Sequence, residues 1–432
     1  MLKLSDPPPL LELESQNSAP TPRYRYTRRR WHLIFGVIDT LGALVMSIVH
    51  RWFGRPWFPL DKVRSILLIQ LDHLGDALLT TAMISSIRRR WPQARIEVLA
   101  ASWNQEIFNR LPEIDAVHVS NVNRFRRPGT WLWPLALPYW SWRLRQHKFD
   151  LAIDVRGELP HALLMQLAGC KRRAGWPAGG GGFLLTDHAE YVADRHELDN
   201  RRALLEMLSV ELSAIEDFAP RFATIRNERR AMTTVWNEAS DTMSSDSVRP
   251  RIVFHVGAGT AAKRWPVGHA HELLGRLVVE LDATVALVGS ASERSLAAEI
   301  TGGRVWPHVV DLTGRLTLGE LAALCEGATL FIGADSGPAH LAAAVKTPVV
   351  TLFSGTNRPE QWQPRGERVA VVRHSVACSP CHRSDCPLAD HPCMRGIAAA
   401  EVIRAVRALM ATRSDSVLNV PATRTIVPVV GV

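Results

Sequence analysis

The chain has 432 residues, of which 47% are hydrophobic and 22% are charged. This length exceeds one ordinary α/β domain and fits two domains of roughly 150–200 residues each, while the composition excludes a chain that is disordered throughout. The net charge of +9 favours anionic partners such as nucleotides, phosphorylated glycolipids or an anionic membrane surface. Nucleic acid is not expected, because neither zinc-finger spacing nor an aromatic–basic RNA-binding signature occurs.

Residues 1–60 are expected to form a tail and an arm outside the folded domains. Residues 1–22 are rich in Pro and Ser, which predicts disorder. The apolar run Leu33–Val49 is interrupted by Asp39, is short for a membrane span and lacks the cleavage site of a signal peptide. It predicts a helix that lies in the cytoplasmic membrane interface, while a helix packed on the domain and a single span stay open. Basic residues precede the run at Arg23, Arg25, Arg28, Arg29 and Arg30.

The first folded domain is predicted over residues 61–236. The continuous apolar run Ile66–Ile69 is typical of a strand that is buried on both faces of a parallel sheet. A turn at Gly75 and Asp76 follows, and the next helix and strand complete a βαβ unit, so that turn lies at the carboxyl edge of the sheet. Further elements are expected at Ala77–Trp91 (helix), Ile96–Ala100 and Phe149–Asp154 (strands) and Leu198–Leu212 (helix), with a glycine-rich loop of unassigned role at 179–182.

A second domain is predicted over residues 251–412. Residues 237–250 are polar and lack periodicity, so they are expected to form the linker, and residues 413–432 a disordered tail. Alternating strands and helices predict a second doubly wound α/β domain that faces the first across a cleft. Strands are expected at Ile252–His255, Thr284–Val288, Leu330–Ile332 and Val349–Phe353, and helices at His269–Leu281, Leu318–Gly327, Gly337–Val345 and Ala398–Met410.

The first motif that suggests chemistry follows the first predicted strand, at Gln70–Asp76. Gly75 permits a tight turn and a close ligand approach. Asp76 then stands at the start of a helix, where a carboxylate is either a helix cap or a general base that faces the cleft.

The second motif runs from His255 to Pro266. Its glycine turn contains Gly257, Gly259 and Thr260, and Lys263 stands just before a helix. Backbone N–H groups and a lysine in this arrangement favour a pyrophosphate site. The spacing is not that of a P-loop, while a dinucleotide-binding turn and a structural turn with a solvated lysine remain alternatives.

The third motif spans Gly333–Leu341. An apolar strand runs into Asp335, and a helix begins near Gly337, whose neighbour Pro338 suits a first helical turn. The free N–H groups of this helix would face a phosphate in the cleft, and Asp335 could accept hydrogen bonds from sugar hydroxyls. An N-cap with a buried histidine at His340 is the structural alternative.

Together these stretches resemble glycosyltransferase family 9, the ADP-heptose:lipopolysaccharide heptosyltransferases. The similar segments are 66–100, 255–266 and 311–356; they occur in the family's order, and the resemblance covers most of residues 64–412. It implies an α/β GT-B fold with two Rossmann-like domains and an inverting transfer without a metal. It also implies an ADP-sugar donor, ADP-heptose above all, and a lipopolysaccharide core or other lipid-linked glycan acceptor reached from the cytoplasmic face of the inner membrane.

The resemblance also implies roles for individual residues. Asp76 matches the family's proposed catalytic base, Lys263 the lysine that neutralises the donor phosphates, and Asp335 the aspartate that holds donor sugar hydroxyls. Glu293 matches, more loosely, an acidic residue near the adenosine ribose. The residues that share the signature around the phosphates are Ser336, Gly337 and His340.

One departure leaves the donor open. Residues Gly257–Thr260 replace the threonine-rich phosphate loop of the core heptosyltransferases, so another nucleotide sugar is an alternative. An NAD-linked oxidoreductase would require an acidic residue at the end of the second strand, where Gly289 and Ser290 stand instead. A non-catalytic, membrane-associated sugar-nucleotide-binding module is the third alternative, although Asp76, Lys263 and Asp335 are all present.

Four of the six cysteines form a cluster at Cys378, Cys381, Cys386 and Cys393. Clustered thiols in a cytoplasmic protein often bind metal, and this spacing could enclose one structural zinc ion. An iron–sulfur cluster and a loop of reduced thiols are the alternatives. Cys170 and Cys325 are expected to be core residues.

Overall fold

The computed structural model describes residues 29–54, 57–120, 133–212, 218–240 and 249–411. The expected disordered segments 1–22 and 413–432, the arginines before position 29 and most of the expected linker lie outside these residues.

The first domain is built on a six-stranded parallel sheet with the strand order β3-β2-β1-β4-β5-β6. Its strands are β1 (Ser65–Gln70), β2 (Arg95–Ala101), β3 (Ala116–Ser120), β4 (Leu151–Asp154), β5 (Arg172–Gly175) and β6 (Asp187–His188). The helices that precede, connect or follow these strands are α1 (Arg29–Phe53), α2 (Leu74–Arg90), α3 (Gln105–Asn109), α4 (Trp133–Arg145), α5 (Leu159–Leu167) and α6 (Glu197–Met207).

The second domain repeats this architecture with the strand order β12-β11-β10-β7-β8-β9. Its strands are β7 (Arg251–His255), β8 (Thr284–Val288), β9 (Val309–Asp311), β10 (Leu330–Ala334), β11 (Val349–Phe353) and β12 (Val369–Arg373). The helices are α7 (Arg226–Ala239), α8 (Val267–Leu281), α9 (Arg294–Thr301), α10 (Leu318–Glu326), α11 (Gly337–Ala344), α12 (Pro359–Trp362), α13 (Pro392–Arg395) and α14 (Ala399–Ala411). The predicted α/β class with two doubly wound domains is confirmed.

The central position of strand β1 in its sheet explains why its sequence is continuously apolar and does not alternate with polar residues. Ile66 and Leu68 pack into the hydrophobic core on one face of the sheet, whereas Leu67 and Ile69 pack into the core on the other face. All four side chains are completely buried. A central strand of a doubly wound sheet is covered by helices on both sides, so neither face tolerates polar residues.

Helix α7 belongs to the second domain by its packing, although the sequence placed residues up to 236 in the first. Met232 and Trp236 join the hydrophobic core that contains Val253 and Leu324. The indole N–H of Trp236 donates to the carbonyl oxygen of Leu324 at 3.2 Å. The polar sequence that follows α7 therefore does not separate the two cores.

Two helix boundaries differ from the predictions in ways that affect function. Helix α2 begins at Leu74, so Gly75 and Asp76 lie inside its first turn rather than in a preceding turn. Helix α1 runs over Arg29–Phe53 and extends beyond the apolar run Leu33–Val49 at both ends, through basic and aromatic residues.

Candidate active site

The first and third sequence motifs meet where the amino-terminal ends of α2 and α11 pack against each other across the two domains. A Cβ on Gly75 would lie 3.0 Å from Cδ2 of His340, and a Cβ on Gly337 would lie 2.8 Å from Cβ of Leu74. Contacts this short leave no room for a larger residue at either glycine. Gly75 therefore allows α2 and α11 to approach each other closely. The sequence alone did not show that these two helices are in contact.

Asp76 is buried at this junction, with 8% of its surface exposed. Its Oδ1 lies 3.4 Å from Nη2 of Arg201, whose side chain is 1% exposed. Arg201 is itself held by Glu197, whose Oε2 accepts from Nη1 at 3.0 Å, and by the hydroxyl of Thr80. The guanidinium of Arg201 therefore positions the carboxylate of Asp76 at the junction.

Lys263 and Asp335, both predicted to contact the donor, contact each other in this structure. Nζ of Lys263 donates to Oδ2 of Asp335 at 2.6 Å and to its backbone carbonyl at 3.1 Å. Nδ2 of Asn357 donates to the same Oδ2 at 3.0 Å. This pair is mostly buried, and a ligand diphosphate would compete with Asp335 for the lysine. Sequence reasoning missed Asn357, which follows β11 without any recognisable motif.

His340 lies between α2 and the Lys263–Asp335 pair, and its imidazole is neutral. Burial lowers its pKa to about 4; nearby Lys263 and Arg201 act in the same direction, and Asp335 opposes them. Its Nδ1 is buried and has no hydrogen-bond partner among the described residues. His340 can therefore exchange a hydrogen bond with a ligand at neutral pH, but it does not supply positive charge there.

Ser336 occupies the N-cap position of α11. Its backbone is extended and its side chain does not cap the helix, because the hydroxyl donates to the carbonyl oxygen of Ala334 at 3.1 Å. The first N–H groups of α11 thus receive no capping bond from this side chain. They lie beside Asp335 and Lys263, where an anion can accept from them.

Glu293 covers the glycine turn that follows β7. A Cβ on Gly257 would overlap the carboxylate of Glu293, so a larger residue there would displace that side chain. Oε2 of Glu293 also accepts from the backbone N–H of Ser290 at 2.7 Å. Gly259, by contrast, has open space where a Cβ would lie. The hydroxyl oxygen of Thr260 is buried without a partner in the described part of the chain, which leaves one polar group available to a ligand.

The loop that carries the four cysteines is hydrogen-bonded to the segment that contains Lys263 and to the segment that contains Asn357. The backbone N–H of Ala262, next to Lys263, donates to the carbonyl oxygen of Ser384 at 2.9 Å. The backbone N–H of Cys381 donates to the carbonyl oxygen of Gly355 at 2.9 Å, two residues before Asn357. A cavity of about 500 Å³ opens between this loop and Asn357. The position of the loop therefore affects the position of Lys263 and Asn357.

The four cysteines lie near one another. Burial raises the pKa of the Cys393 thiol, and the thiols of Cys386, Cys378 and Cys381 raise it further. Cys378 is exposed, Cys381 and Cys386 are partly exposed, and Cys393 is buried. The cluster thus combines one buried thiol with three thiols that are partly or fully exposed.

A second set of metal-ligand side chains lies far from this site, near the amino end of β2. Among the described residues, the group whose ligand atoms all lie within 4.8 Å of one another is Glu97, His118 and His147, and the cysteines do not form so compact a group. Nε2 of His118 lies 2.5 Å from Oε2 of Glu97. Although burial opposes it, hydrogen bonds to the two histidines hold the pKa of Glu97 below its usual range. These three side chains therefore hydrogen-bond one another.

The two domains are also joined by hydrogen bonds between α6 and the segment after α12. Nη2 of Arg365 lies 2.7 Å from Oδ2 of Asp199, and Nε2 of His196 hydrogen-bonds to the carbonyl oxygen of Gln363 at 2.9 Å. Because burial lowers the pKa of His196 to about 3, this histidine is neutral and donates from Nε2. These contacts hold α6, and with it Arg201, beside the second domain.

Solved structures share this two-domain fold. The structure of an ADP-heptose lipopolysaccharide heptosyltransferase II of E. coli superimposes with a TM-score of 0.62 at 23% identity, covering 81% of this chain and 99% of that one. A family 9 glycosyltransferase of Veillonella parvula gives a TM-score of 0.67 at 20% identity, covering 82% and 99% of the two chains. The fold is therefore the GT-B fold that the sequence predicted.

Sequence comparison identifies the family. The family model for glycosyltransferase family 9 (heptosyltransferase) matches residues 141–391, more than half of the chain. A lipooligosaccharide heptosyltransferase 2 of Haemophilus influenzae is 25% identical over 315 residues, 72% of this chain and 88% of that protein. A lipopolysaccharide heptosyltransferase 3 of E. coli is 28% identical over 308 residues, 68% and 83% of the two proteins. The chain belongs to glycosyltransferase family 9, and it is a glycosyltransferase.

Proposed function

We propose that this enzyme transfers a heptose from ADP-heptose to a lipopolysaccharide core or another lipid-linked glycan, with inversion and without a catalytic metal. The observation that carries the proposal is the meeting of α2 and α11, which places Asp76 on one side of the junction and the Lys263–Asp335 pair on the other. The relatives are named as heptosyltransferases of lipopolysaccharide or lipooligosaccharide, which supports heptose and this class of acceptor.

In the proposed reaction Asp76 is the general base. Its carboxylate takes the proton from the acceptor hydroxyl while that oxygen attacks the anomeric carbon and the bond from this carbon to the diphosphate oxygen breaks. General base catalysis of this kind contributes about 10²–10⁴-fold to the rate. Arg201 positions Asp76 for this role. Attack from the face opposite the leaving group inverts the configuration.

The departing diphosphate gains negative charge, and Lys263 is the residue that stabilises it. When the donor binds, Lys263 exchanges its contact with Asp335 for the phosphate oxygens, and the N–H groups at the start of α11 add further donors. Asp335, still held by Asn357, then accepts hydrogen bonds from the sugar hydroxyls. Neutralisation by a lysine and backbone groups takes the place that a divalent cation has in other phosphate sites.

Glu293 is proposed to bind the ribose of the donor nucleotide. It lies over Gly257 at the ends of β7 and β8, which is where nucleotides bind in doubly wound domains. Thr260 and the backbone of the glycine turn would contact the diphosphate. Because Glu293 supplies only acceptors, the ribose hydroxyls would donate to it.

The donor is tested first by calorimetry with ADP, UDP, GDP, CDP and NAD, followed by turnover of ADP-heptose with lipopolysaccharide acceptors. We expect ADP to bind at least about tenfold more tightly than the other diphosphates, a difference of about 1.4 kcal/mol. Selective binding of another nucleoside diphosphate would still support a glycosyltransferase, but it would show that the donor is a different sugar nucleotide. Binding of NAD alone would contradict the proposal and favour an oxidoreductase.

We also propose that Cys378, Cys381, Cys386 and Cys393 bind one structural Zn²⁺ that fixes the loop beside the donor site. Metal analysis of the purified protein is expected to give one zinc per chain, which Cys386→Ala lowers and the matched core variant Cys170→Ala retains. Because Ala262 is hydrogen-bonded to this loop, Cys386→Ala should also weaken ADP binding by about threefold to tenfold. Iron with an iron–sulfur absorption spectrum, or full ADP affinity without metal, would contradict the proposal.

For localisation, we propose that the enzyme works at the cytoplasmic face of the inner membrane. A lipid-linked acceptor is reached at that surface, and the net charge of +9 favours anionic lipids.

A further inference from the structure

Helix α1 has an apolar stripe along its whole length that no other described part of the chain covers. The residues of this stripe are each more than half exposed and recur at intervals of three or four residues, so they lie on one side of the helix. A soluble protein seldom exposes so long an apolar surface without a partner. The stripe consists of Leu33, Val37, Leu41, Leu44, Ile48 and Trp52.

The opposite side of α1 is bound to the first domain. Oδ1 of Asp39 accepts from the backbone N–H of Gly181 at 2.8 Å, and Asp39 is 5% exposed. The ring of Phe183 lies so close to Gly42 that a Cβ there would overlap it. A Cβ on Gly180 would lie 2.5 Å from the ring of Phe35. These contacts attach the middle of α1 to the glycine loop 179–182, which the sequence left without a role.

This attachment decides how α1 can meet a membrane. Its segment Arg30–Phe53 is long and apolar enough to cross one, with 24 residues and a mean hydropathy of 1.9 in its most apolar window. If α1 crossed the bilayer, Asp39 and the polar backbone of the glycine loop would lie in the hydrocarbon core, where unsatisfied backbone groups are very costly. If α1 instead lies in the membrane plane, the stripe contacts lipid while Asp39 and the loop face the protein.

The charge and the aromatic residues indicate which surface covers the stripe. Arginines precede and begin α1 in the sequence, Arg51 is exposed near its end, and basic residues beside an apolar helix favour anionic lipid headgroups. Trp52 and Trp57 are both 79% exposed at the end of the helix, and tryptophan prefers the boundary between water and hydrocarbon. An anionic bilayer therefore fits both the stripe and its ends.

We infer that α1 is an in-plane membrane anchor, with its apolar stripe inserted into one leaflet of an anionic bilayer and its opposite side clamped to the glycine loop. The glycine loop also connects to the active site: Gly179 pairs with Glu158, and Arg156 of the same turn forms an ion pair with Asp72 in the first motif. The anchor thus sets the orientation of the cleft relative to the membrane. That last consequence rests on the proposed function, since it assumes a lipid-linked acceptor.

The first test is flotation of the full-length protein with phosphatidylglycerol vesicles and with phosphatidylcholine vesicles. We expect binding to the anionic vesicles, and we expect the double variant Leu41→Asp/Leu44→Asp to weaken it at least ~100-fold, since two leucine side chains no longer enter the apolar phase. Val279→Asp is the control, at an apolar residue of α8 in the second domain that is even more exposed than the two leucines, and it should leave vesicle binding unchanged.

The second test determines the orientation. A protease-sensitive epitope before residue 1 should be cleaved on the same face of inner-membrane vesicles as the catalytic domain, whereas a spanning helix would place it on the other face. Cleavage on the opposite face, or full vesicle binding by the double leucine variant, would overturn the inference. So would a lipid-free dimer that this variant dissociates, because a second copy would then cover the stripe. ADP affinity is measured in parallel and should not change, so failure of the anchor can be distinguished from failure of the proposed function.

Discussion

Replacing Asp76 with Asn is expected to lower kcat by about 10²–10⁴-fold, the range that a positioned general base contributes, while ADP affinity stays within about threefold. The amide has nearly the same shape as the carboxylate but cannot accept the proton of the acceptor hydroxyl. Asp76 is buried beside Arg201 on the first-domain side of the junction, and Lys263 and Asp335 lie on the other side. The variant should therefore separate chemistry from donor binding, measured as turnover of ADP-heptose and as ADP affinity by calorimetry.

Glu197→Gln is the matched control for this experiment. Glu197 is a second buried carboxylate on Arg201, at 3.0 Å from Nη1, so the substitution removes the same charge from the same network. Because Glu197 belongs to α6 and not to the first turn of α2, we expect its loss to reduce kcat by less than about tenfold. If Asp76→Asn kept more than about a tenth of the activity, or if both variants lost activity equally, Asp76 would be a structural partner of Arg201 and not the base.

The parts of the fold that could be predicted are those that depend on local pattern. The uninterrupted apolar run at Ile66–Ile69 predicted a strand buried on both faces, and this strand is central in its sheet. The three motifs were placed correctly at the ends of strands, because a polar, glycine-containing segment after a buried strand has few other positions in a doubly wound domain. Helix interiors were predicted better than helix ends, since capping depends on neighbours that are distant in sequence.

The parts that could not be predicted depend on contacts between segments far apart in the chain. Arg201 meets Asp76 across 125 positions, and in its own helix it stands among four other charged residues with nothing to distinguish it. Helix α7 precedes the polar linker, yet Trp236 is buried with the second domain. Gly257 was predicted to belong to a phosphate loop, and the sequence did not show that the carboxylate of Glu293 lies directly over it. No periodicity or spacing carries this information.

Replacing Lys263 with Ala is expected to weaken ADP binding by about 10–100-fold, corresponding to the loss of one or two charge-assisted hydrogen bonds of about 1.5–3 kcal/mol. It should also lower kcat by about 10²–10³-fold, because the charge on the leaving diphosphate is no longer stabilised. Both effects would be measured together, affinity by calorimetry and kcat at saturating ADP-heptose. An unchanged affinity would place the diphosphate elsewhere in the cleft.

Because Lys263 contacts Asp335, Lys263→Ala also affects stability, and a substitution of Asp335 provides the control for that effect. Among the described residues, removing the lysine leaves the carboxylate of Asp335, 5% exposed, with only the amide of Asn357. Lys263→Ala should therefore also reduce the free energy of unfolding by about 3–5 kcal/mol. Adding Asp335→Asn should recover most of that stability without recovering ADP affinity. Asp335→Asn alone should bind ADP at least as tightly as the wild type, because the lysine no longer has a competing carboxylate, yet turn over ADP-heptose poorly because the sugar hydroxyls lose a charged acceptor. If Asp335→Asn alone weakened ADP binding as much as Lys263→Ala, the pair would act as one structural unit and neither residue could be assigned to the phosphates.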